Sequence, residues 1–332
     1  MFAIAAHELP WRSQRSQVDN PAAASAVRAA ARRRPTCGVA TRALVCELPA
    51  MPAVAVLVTG ASTGIGEACA LRLDRVGHRV FAGVRRAADA ERLRASASQR
   101  LVPVELDVTD AAAIDACRGR IAAAVGDAGL HGVVNNAGVA IGGPVEFLDL
   151  EAWRRQLEVN VVGQVAVTKA LLPLVRTARG RIVFIGSSSG RVSIPLMAPY
   201  GASKHALEAI AESLRHELRP DGVRVSLIEP GAVKTAIWDK GRALADEMER
   251  ALPAEARTRY ARFIAAVRKG IDYQERVGID PAVVARAVEH ALFARRPRAR
   301  VLVGTDAKLQ GILARLFPDP LRDQLVRRFV GF

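Results

Sequence analysis

The stretch that most restricts what this chain can fold into is Thr59-Gly60-Ala61-Ser62-Thr63-Gly64-Ile65-Gly66, because of what flanks it. Ahead of it runs Ala53-Val54-Ala55-Val56-Leu57-Val58, a short β-branched run suited to a strand buried on both faces. Behind it, Ala68, Leu71, Leu73 and Val76 follow a helical pattern. Gly60 permits a tight turn between the two. Gly64 and Gly66 let the backbone approach an anion at the N-terminus of the helix. Strand, glycine-rich turn and helix in direct succession therefore predict a site for a dinucleotide pyrophosphate. The same glycines without that context would predict only a loop.

The alternation continues down the chain. Arg79–Val84 reads as a second strand, residues 90–97 as a helix and Leu101–Leu106 as a third strand. Pro103 has no N–H to donate, which places it near a strand start or at an irregular edge. Asp110 is positioned to cap a helix through Ile114 and Ile121. Gly132-Val133-Val134-Asn135 is a fourth strand leading into Asn136-Ala137-Gly138, and Asn160 falls midway along the next helix, where an amide among apolar neighbours needs partners. Arg181–Ile185 and Arg224–Ile228 are further strands. Asp280-Pro281 opens a helix before a last strand at Arg300–Gly304. This rhythm predicts an α/β fold: one doubly wound parallel sheet with helices on both faces and right-handed crossovers, over residues 53–304.

Three segments stand outside the rhythm. Residues 1–52 scatter arginines and prolines without a hydrophobic period and are expected to be a disordered basic extension. Residues 232–278, after the sixth strand, are helical and carry Ile237, Trp238, Met248, Tyr260 and Phe263. They sit at the carboxyl edge of the sheet, where open α/β sheets bind ligands, and so predict a cover over a bulky apolar substrate. The competing reading is that these side chains only pack the segment onto the core. Residues 305–332 form an amphipathic tail, with Leu309, Ile312, Leu316, Leu325 and Phe329 interleaved with Arg315, Arg322, Arg327 and Arg328. Packing on the protein's own body is the leading expectation for the tail. Contact with an anionic membrane or a neighbouring subunit is the second.

The chemistry centres on Tyr200-Gly201-Ala202-Ser203-Lys204. Residues four apart on a helix share a face. A free phenol, with a pKa of about 10, is a poor base near neutral pH, and an ammonium held close favours the phenolate. Such a tyrosine can both take and give a proton. Ser187, just after the strand Arg181–Ile185, can hold a substrate oxygen beside it. Alone, a tyrosine and lysine at this spacing more often mark a solvated helix face.

Cofactor choice is readable at the end of the second strand. Doubly wound folds that bind NAD usually place an acid there for the ribose 2′-hydroxyl. Here the position reads Val84-Arg85-Arg86, with no acid before Asp89. Arginine suits a 2′-phosphate, so NADP(H) is expected over NAD(H), with Arg85 as first candidate and Arg86 as reserve. The net charge of +15 raises the question of nucleic acid, but no helix-turn-helix, zinc-finger or stacked-aromatic pattern accompanies it, and a generic basic surface is preferred. Cys37, Cys46, Cys69 and Cys117 show no metal or redox spacing. With no uninterrupted apolar run of membrane-spanning length, a cytoplasmic protein is expected, membrane-associated only through its tail, and no metal is called for.

Taken together, these residues resemble the short-chain dehydrogenase/reductase family. The glycine motif matches Thr59 to Gly66, an N-N-A-G motif matches Asn135 to Gly138, and a P-G motif matches Pro230-Gly231. The family's catalytic asparagine, serine, tyrosine and lysine fall on Asn160, Ser187, Tyr200 and Lys204. The long segment after Pro230 and the stretch from Pro281 to Gly304 resemble the hydroxysteroid and retinol dehydrogenase branch. The resemblance implies a Rossmann-type domain and hydride transfer between a nicotinamide and a carbinol carbon. It implies Tyr200 as acid/base and Ser187 on the substrate oxygen. It gives Lys204 the nicotinamide ribose and Asn160 a water that links Lys204 to solvent. It places Gly60, Ser62, Gly64 and Ile65 at the pyrophosphate, Asp107 and Val108 at the adenine, and Asn136 at the adjacent ribose. Ala137, Pro230, Val233 and Thr235 also belong to the implied cofactor site. A homo-oligomer is the family's common state. A nucleotide-binding sensor or scaffold without turnover is the alternative, and the presence of all four catalytic residues weighs against it.

Overall fold

The computed structural model describes residues 54–330 other than residue 236, and side chains at 236–241, 244, 248, 329 and 330 are not described. The basic extension, Cys37 and Cys46, and the side chains of Ile237, Trp238, Met248 and Phe329 therefore lie outside the described residues.

Seven strands form one parallel sheet: β1 (Ala55–Val58), β2 (Arg79–Val84), β3 (Leu101–Glu105), β4 (Gly132–Asn135), β5 (Arg181–Ile185), β6 (Arg224–Pro230) and β7 (Arg300–Val303). Their spatial order is β3-β2-β1-β4-β5-β6-β7. β1 pairs with both β2 and β4, so the winding reverses beside it. That reversal opens a crevice at the carboxyl ends of β1 and β4, where a doubly wound sheet takes its ligand. The loops emerging there are Thr59–Gly66 and Asn136–Gly138.

The central strands are apolar throughout because both faces are covered. Val56, Val58, Val80, Ala82, Val134, Val183 and Ile228 face α1 (Gly64–Arg75) and α9 (Pro281–Phe293). Leu57, Phe81, Val133, Ile182, Phe184 and Leu227 face α3 (Ala111–Val125), α5 (Gly163–Thr177) and α6 (Ala198–Glu217). The side chains alternate between these two layers at the strand period of two. Burying each such Val, Leu or Phe contributes about 1.5–3 kcal/mol, which is what holds the loops above them in place. α2 (Ala87–Ser96) connects β2 to β3.

Several local expectations meet their reasons here. Pro103 lies in β3, which among the described residues has a partner only in β2, so its missing N–H interrupts no ladder on the other side. Asp110 accepts hydrogen bonds from the amides of Ala112 and Ala113, and Asp280 from that of Ala282, capping α3 and α9. Cys69 and Cys117 are buried.

The expected helix around Asn160 is a compound one. α4 (Leu150–Leu157) and α5 are joined by a π-helical turn over Glu158–Val162. Leu150–Thr177 is long and apolar enough to cross a membrane, but Val167, Leu171 and Val175 bury its face in the core beside the sheet. The segment after β6 folds as α7 (Ile237–Ala251) and α8 (Ala254–Val277), and the tail as α10 (Thr305–Leu316) and α11 (Asp319–Val330). α10 buries Ala307 and Gly311 while Leu309, Ile312 and Leu316 are exposed.

Candidate active site

The glycine-rich loop is held by hydrogen bonds that its sequence makes local. Thr59 Oγ1 accepts from the amides of Asn136 and Ala137 at 2.9 and 3.0 Å. The Asn136 side-chain amide donates to the carbonyls of Thr59 and Gly60 at 3.0 and 3.1 Å. The two motifs thus form one rigid unit across the crevice. Gly60 and Gly64 take φ values of +62° and +61°, a region that a side chain disfavours. A Cβ on Gly60 would lie 2.8 Å from the Ala137 Cα, and one on Gly64 2.9 Å from the Thr235 Cγ2. Thr235 therefore packs directly onto the loop.

The first turn of α1 has no side-chain cap: Thr63 at its N-cap makes no hydrogen bond to the helix amides. An uncapped N-terminus behind a glycine turn leaves free N–H groups and a positive dipole end, which fits a pyrophosphate. Gly60, Ser62, Gly64 and Ile65 all lie on this unit.

Asp107, beyond the end of β3, accepts through Oδ1 from the Thr109 amide and hydroxyl at 2.9 and 2.7 Å. Burial pushes its carboxyl up, but the Thr109 donors and the charges of Arg85 and Arg155 prevail and leave it below its ordinary value. Val108 is buried beside it. The two arginines at the end of β2 differ. Arg86 forms a two-point ion pair with Asp89, Nε to Oδ2 at 2.8 Å and Nη2 to Oδ1 at 3.2 Å. Arg85 is exposed, with its charge felt at Asp107. Arg92, which the sequence reading did not single out, lies over the glycine loop and bonds the Ser62 carbonyl and Glu67.

The four candidate catalytic residues converge on the end of β5 and the start of α6. Ser187 follows β5; its Oγ accepts the Ser189 amide at 3.1 Å and is hydrogen-bonded to the Tyr200 hydroxyl. Lys204 is buried, its Nζ donating to the Ile185 carbonyl at 2.8 Å and standing 5.7 Å from the centre of the Tyr200 ring. Asn160, in the π-helical turn, accepts the Val139 amide at 2.8 Å and donates to the Val139 carbonyl and to Ser203 Oγ at 2.9 and 3.1 Å. Ser203 donates in turn to the Tyr200 carbonyl. Asn160 thereby joins the β4 loop to the tyrosine helix.

The electrostatics depart from the sequence expectation in one respect. Lys204 was expected to lower the Tyr200 pKa. Burial instead pushes the Tyr200 phenol up, only partly offset by the Ser187 hydrogen bond. Burial also brings Lys204 down to about 8. Removing both groups from water disfavours the charged form of each.

The α7–α8 segment covers the loops around this centre. Leu252, Ala256 and Ile264 are buried with Leu196, four residues before Tyr200, and Phe147, Tyr260 and Phe263 pack against them. Tyr260 donates to Glu146 at 2.8 Å. Of the segment's described aromatic residues, Tyr260 and Phe263 contribute to this satellite core, whereas Tyr273 is exposed. Leu196 has φ +64°, a strained conformation for a leucine.

Sequence reasoning also passed over Gln156. It is buried one turn before Asn160 and pins the same loop, accepting the Ile141 amide at 2.7 Å and donating to the Val139 carbonyl at 2.9 Å. Two amides four residues apart among apolar neighbours were the available signal. A second omission is a chain of charged groups, Arg191, Glu229, Glu208 and Arg300, adjoining the Ser187 turn and α6. Nothing in the local sequence links its members.

Comparison with known proteins follows this geometry. Residues 54–245 match the family model described as short chain dehydrogenase. The human retinol dehydrogenase 16 is 39% identical over 276 residues, 82% of this chain and 87% of that protein. The NADPH-dependent 3-dehydrocapnine reductase of Ornithobacterium rhinotracheale is 35% identical over 274 residues, 81% of this chain and 94% of that protein. A crystal structure of a short-chain dehydrogenase from Streptomyces avermitilis superposes with a TM-score of 0.67 at 29% identity, covering 83% of this chain and 96% of that one.

Proposed function

Because the chain belongs to the short-chain dehydrogenase/reductase family, in its hydroxysteroid and retinol dehydrogenase branch, and is thus an oxidoreductase of CH–OH groups, we propose that it interconverts an apolar alcohol and its ketone or aldehyde with NADP(H), using Tyr200 as the acid/base. The observation that carries this reading is the convergence of Ser187, Tyr200, Lys204 and Asn160 beside the carboxyl ends of β4 and β5. The bound nicotinamide would supply or accept the hydride. Everything else falls to this chain's own side chains.

Ser187 and Tyr200 present two hydroxyls to one substrate oxygen. A phenol held neutral by burial is a proton donor at rest, which suits protonation of a carbonyl oxygen as it is reduced. Lys204, at about 8, still carries its proton through most of the neutral range and lies close enough to support the phenolate when the proton leaves. Asn160 and Ser203 tie the backbone of Tyr200 to the β4 loop, so the proton carrier is preorganised. The uncapped helix α1, Asp107, Val108, Asn136, Ala137, Pro230, Val233 and Thr235 are assigned to hold the cofactor, and Arg85 to meet its 2′-phosphate. The NADPH-dependent relative supports that preference. The retinol dehydrogenases among the relatives support a bulky apolar substrate.

The test is a panel of steroids, retinoids and medium-chain aldehydes followed by NADPH absorbance, with Tyr200→Phe in parallel. Turnover of at least one apolar carbonyl, abolished by Tyr200→Phe with NADPH affinity retained, is expected. Near wild-type turnover in Tyr200→Phe, or activity confined to small charged carbonyls, would overturn the reading.

A further inference from the structure

One helical turn beyond Lys204 on α6 stands Glu208. Its Oε2 accepts from Arg300 Nε at 2.7 Å. Its Oε1 is buried and, among the described residues, receives no hydrogen bond from an N–H or hydroxyl donor. Beside Glu208 stands Glu229 of β6, whose side chain is 0% exposed and whose carboxylate is close enough to share a hydrogen bond with that of Glu208. Both Glu229 oxygens already accept from Arg191, through Nε and through Nη2 at 2.8 Å.

Two ionised carboxylates have only acceptors to offer each other, and in a buried place they repel. One proton between them converts that repulsion into a short charge-assisted hydrogen bond. The surrounding charges agree. Arg300 also binds Glu212 at 2.8 Å, so Arg191 and Arg300 have counter-charges in Glu229 and Glu212 without calling on an ionised Glu208. Burial and the Glu229 carboxylate push Glu208 up to about 7, against the pull of Arg300.

The members of this chain belong to the elements that must stay in register for catalysis. Arg191 directly follows the turn Ser188–Gly190, which Ser187 caps. Glu208 shares α6 with Tyr200 and Lys204. Glu229 precedes Pro230 at the end of β6, and Arg300 opens β7. Gly190 also packs tightly against the tyrosine helix, where a Cβ would lie 3.0 Å from the Lys204 carbonyl oxygen.

We propose that Glu208 is a positioning residue for the reaction: as a protonated acid bonded to Glu229 and flanked by Arg191 and Arg300, it keeps the Ser187 turn in register with Tyr200 and Lys204. The proposal rests on the roles assigned above to those three residues. The groups facing Glu208 are Glu229 from β6, Arg191 from the serine turn and Arg300 from β7, with Lys204 and Glu212 on its own helix. A carboxyl whose folded-state pKa is raised stabilises the fold fully below its unfolded value of about 4.3 and loses that contribution as pH rises through the folded value.

Glu208→Gln keeps a donor toward Glu229, whereas Glu208→Ala removes it. Infrared difference spectra of the full chain should show a buried carboxylic-acid band in the wild type at about pH 6 that fades by about pH 8.5 and is missing in Glu208→Gln. Glu208→Ala should lose about tenfold in kcat with an unchanged NADPH dissociation constant, and Glu208→Gln should recover most of that loss. Between about pH 5 and 8, Glu208→Gln should flatten the decline in Tm that the wild type shows. A band that persists in Glu208→Gln, wild-type kcat in Glu208→Ala, or a glutamine variant as slow as the alanine variant would overturn the proposal. The infrared band needs no substrate, so it stands or falls separately from the acid/base role of Tyr200.

Discussion

Gly64→Ala tests whether the cradle at the start of α1 is set by backbone geometry, as its contacts require. Gly64 sits at φ +61°. Placing an L-residue in that left-handed region costs roughly 1–2 kcal/mol, which for a domain of this size lowers Tm by about 2–8 °C. A second effect adds to it. The new Cβ would stand 2.9 Å from Thr235 Cγ2 and 3.1 Å from Thr235 Cβ, so Thr235 must move. Thr235 belongs to the loop that continues from Pro230-Gly231 and closes on the glycine turn. Either the loop moves or Gly64 leaves its native φ, and both deform the amide cradle. About 2–3 kcal/mol of combined strain corresponds to roughly 30- to 150-fold in NADPH affinity if it is expressed in binding. Thr235→Ala removes the nearer overlap but not the backbone strain. In a double-mutant cycle Gly64→Ala/Thr235→Ala should therefore recover part of the binding loss and little of the Tm loss. The assay is NADPH fluorescence titration beside thermal unfolding of the four proteins. A Gly64→Ala protein that binds NADPH within about threefold of wild type, or a cycle with no coupling between the two sites, would refute the reasoning.

Three other outcomes follow from the same geometry. Arg85→Ala should weaken NADPH by roughly tenfold or more while barely changing NADH, and Arg86→Ala should do much less because Asp89 already holds that guanidinium; equal losses for both cofactors would sink the assignment. His78 and His131 stack on Phe293 at 4.2 and 5.4 Å, and burial, reinforced by the charge of His131 on His78 and of Arg181 on His131, lowers both pKa values. Their contribution is therefore present above the unfolded value of about 6.5 and lost as pH falls below it, so Tm should drop between about pH 6.5 and 5, and His78→Leu should flatten that limb. The exposed Leu309, Ile312 and Leu316 of α10, with Arg315 among them, predict flotation with anionic liposomes that is lost in a chain ending at Lys308; equal flotation of both would show that the tail serves only the protein's own packing.

Short-range pattern was enough to read most of the fold. The apolar run before Thr59, the glycines after it and the helical spacing beyond are neighbours in the chain, and each is decided by sterics and burial within a few residues. The same holds for the Asp110 and Asp280 caps and for Pro103 at the sheet's edge. Spacing also brought Tyr200 and Lys204 to one helix and Ser187 to the end of its strand. What spacing does not carry is the free energy of ions removed from water. The upward shift of Tyr200 comes from the packed elements around it, which withdraw it from solvent, and no spacing of residues along the chain encodes that. The N-terminal geometry of α2 turns Arg86 onto Asp89, while the tertiary structure leaves Arg85 exposed with its charge felt at Asp107. It set Asn160 in a π-helical turn, a register that follows from its bonds to Val139 and Ser203 rather than from helix propensity. Glu208 and Glu229 read in the sequence as two ordinary acids on a helix and a strand. Only the closing of α6 against β6 brings the partly buried Glu208 against the fully buried Glu229, and a pair of carboxyls withdrawn from water favours holding one proton.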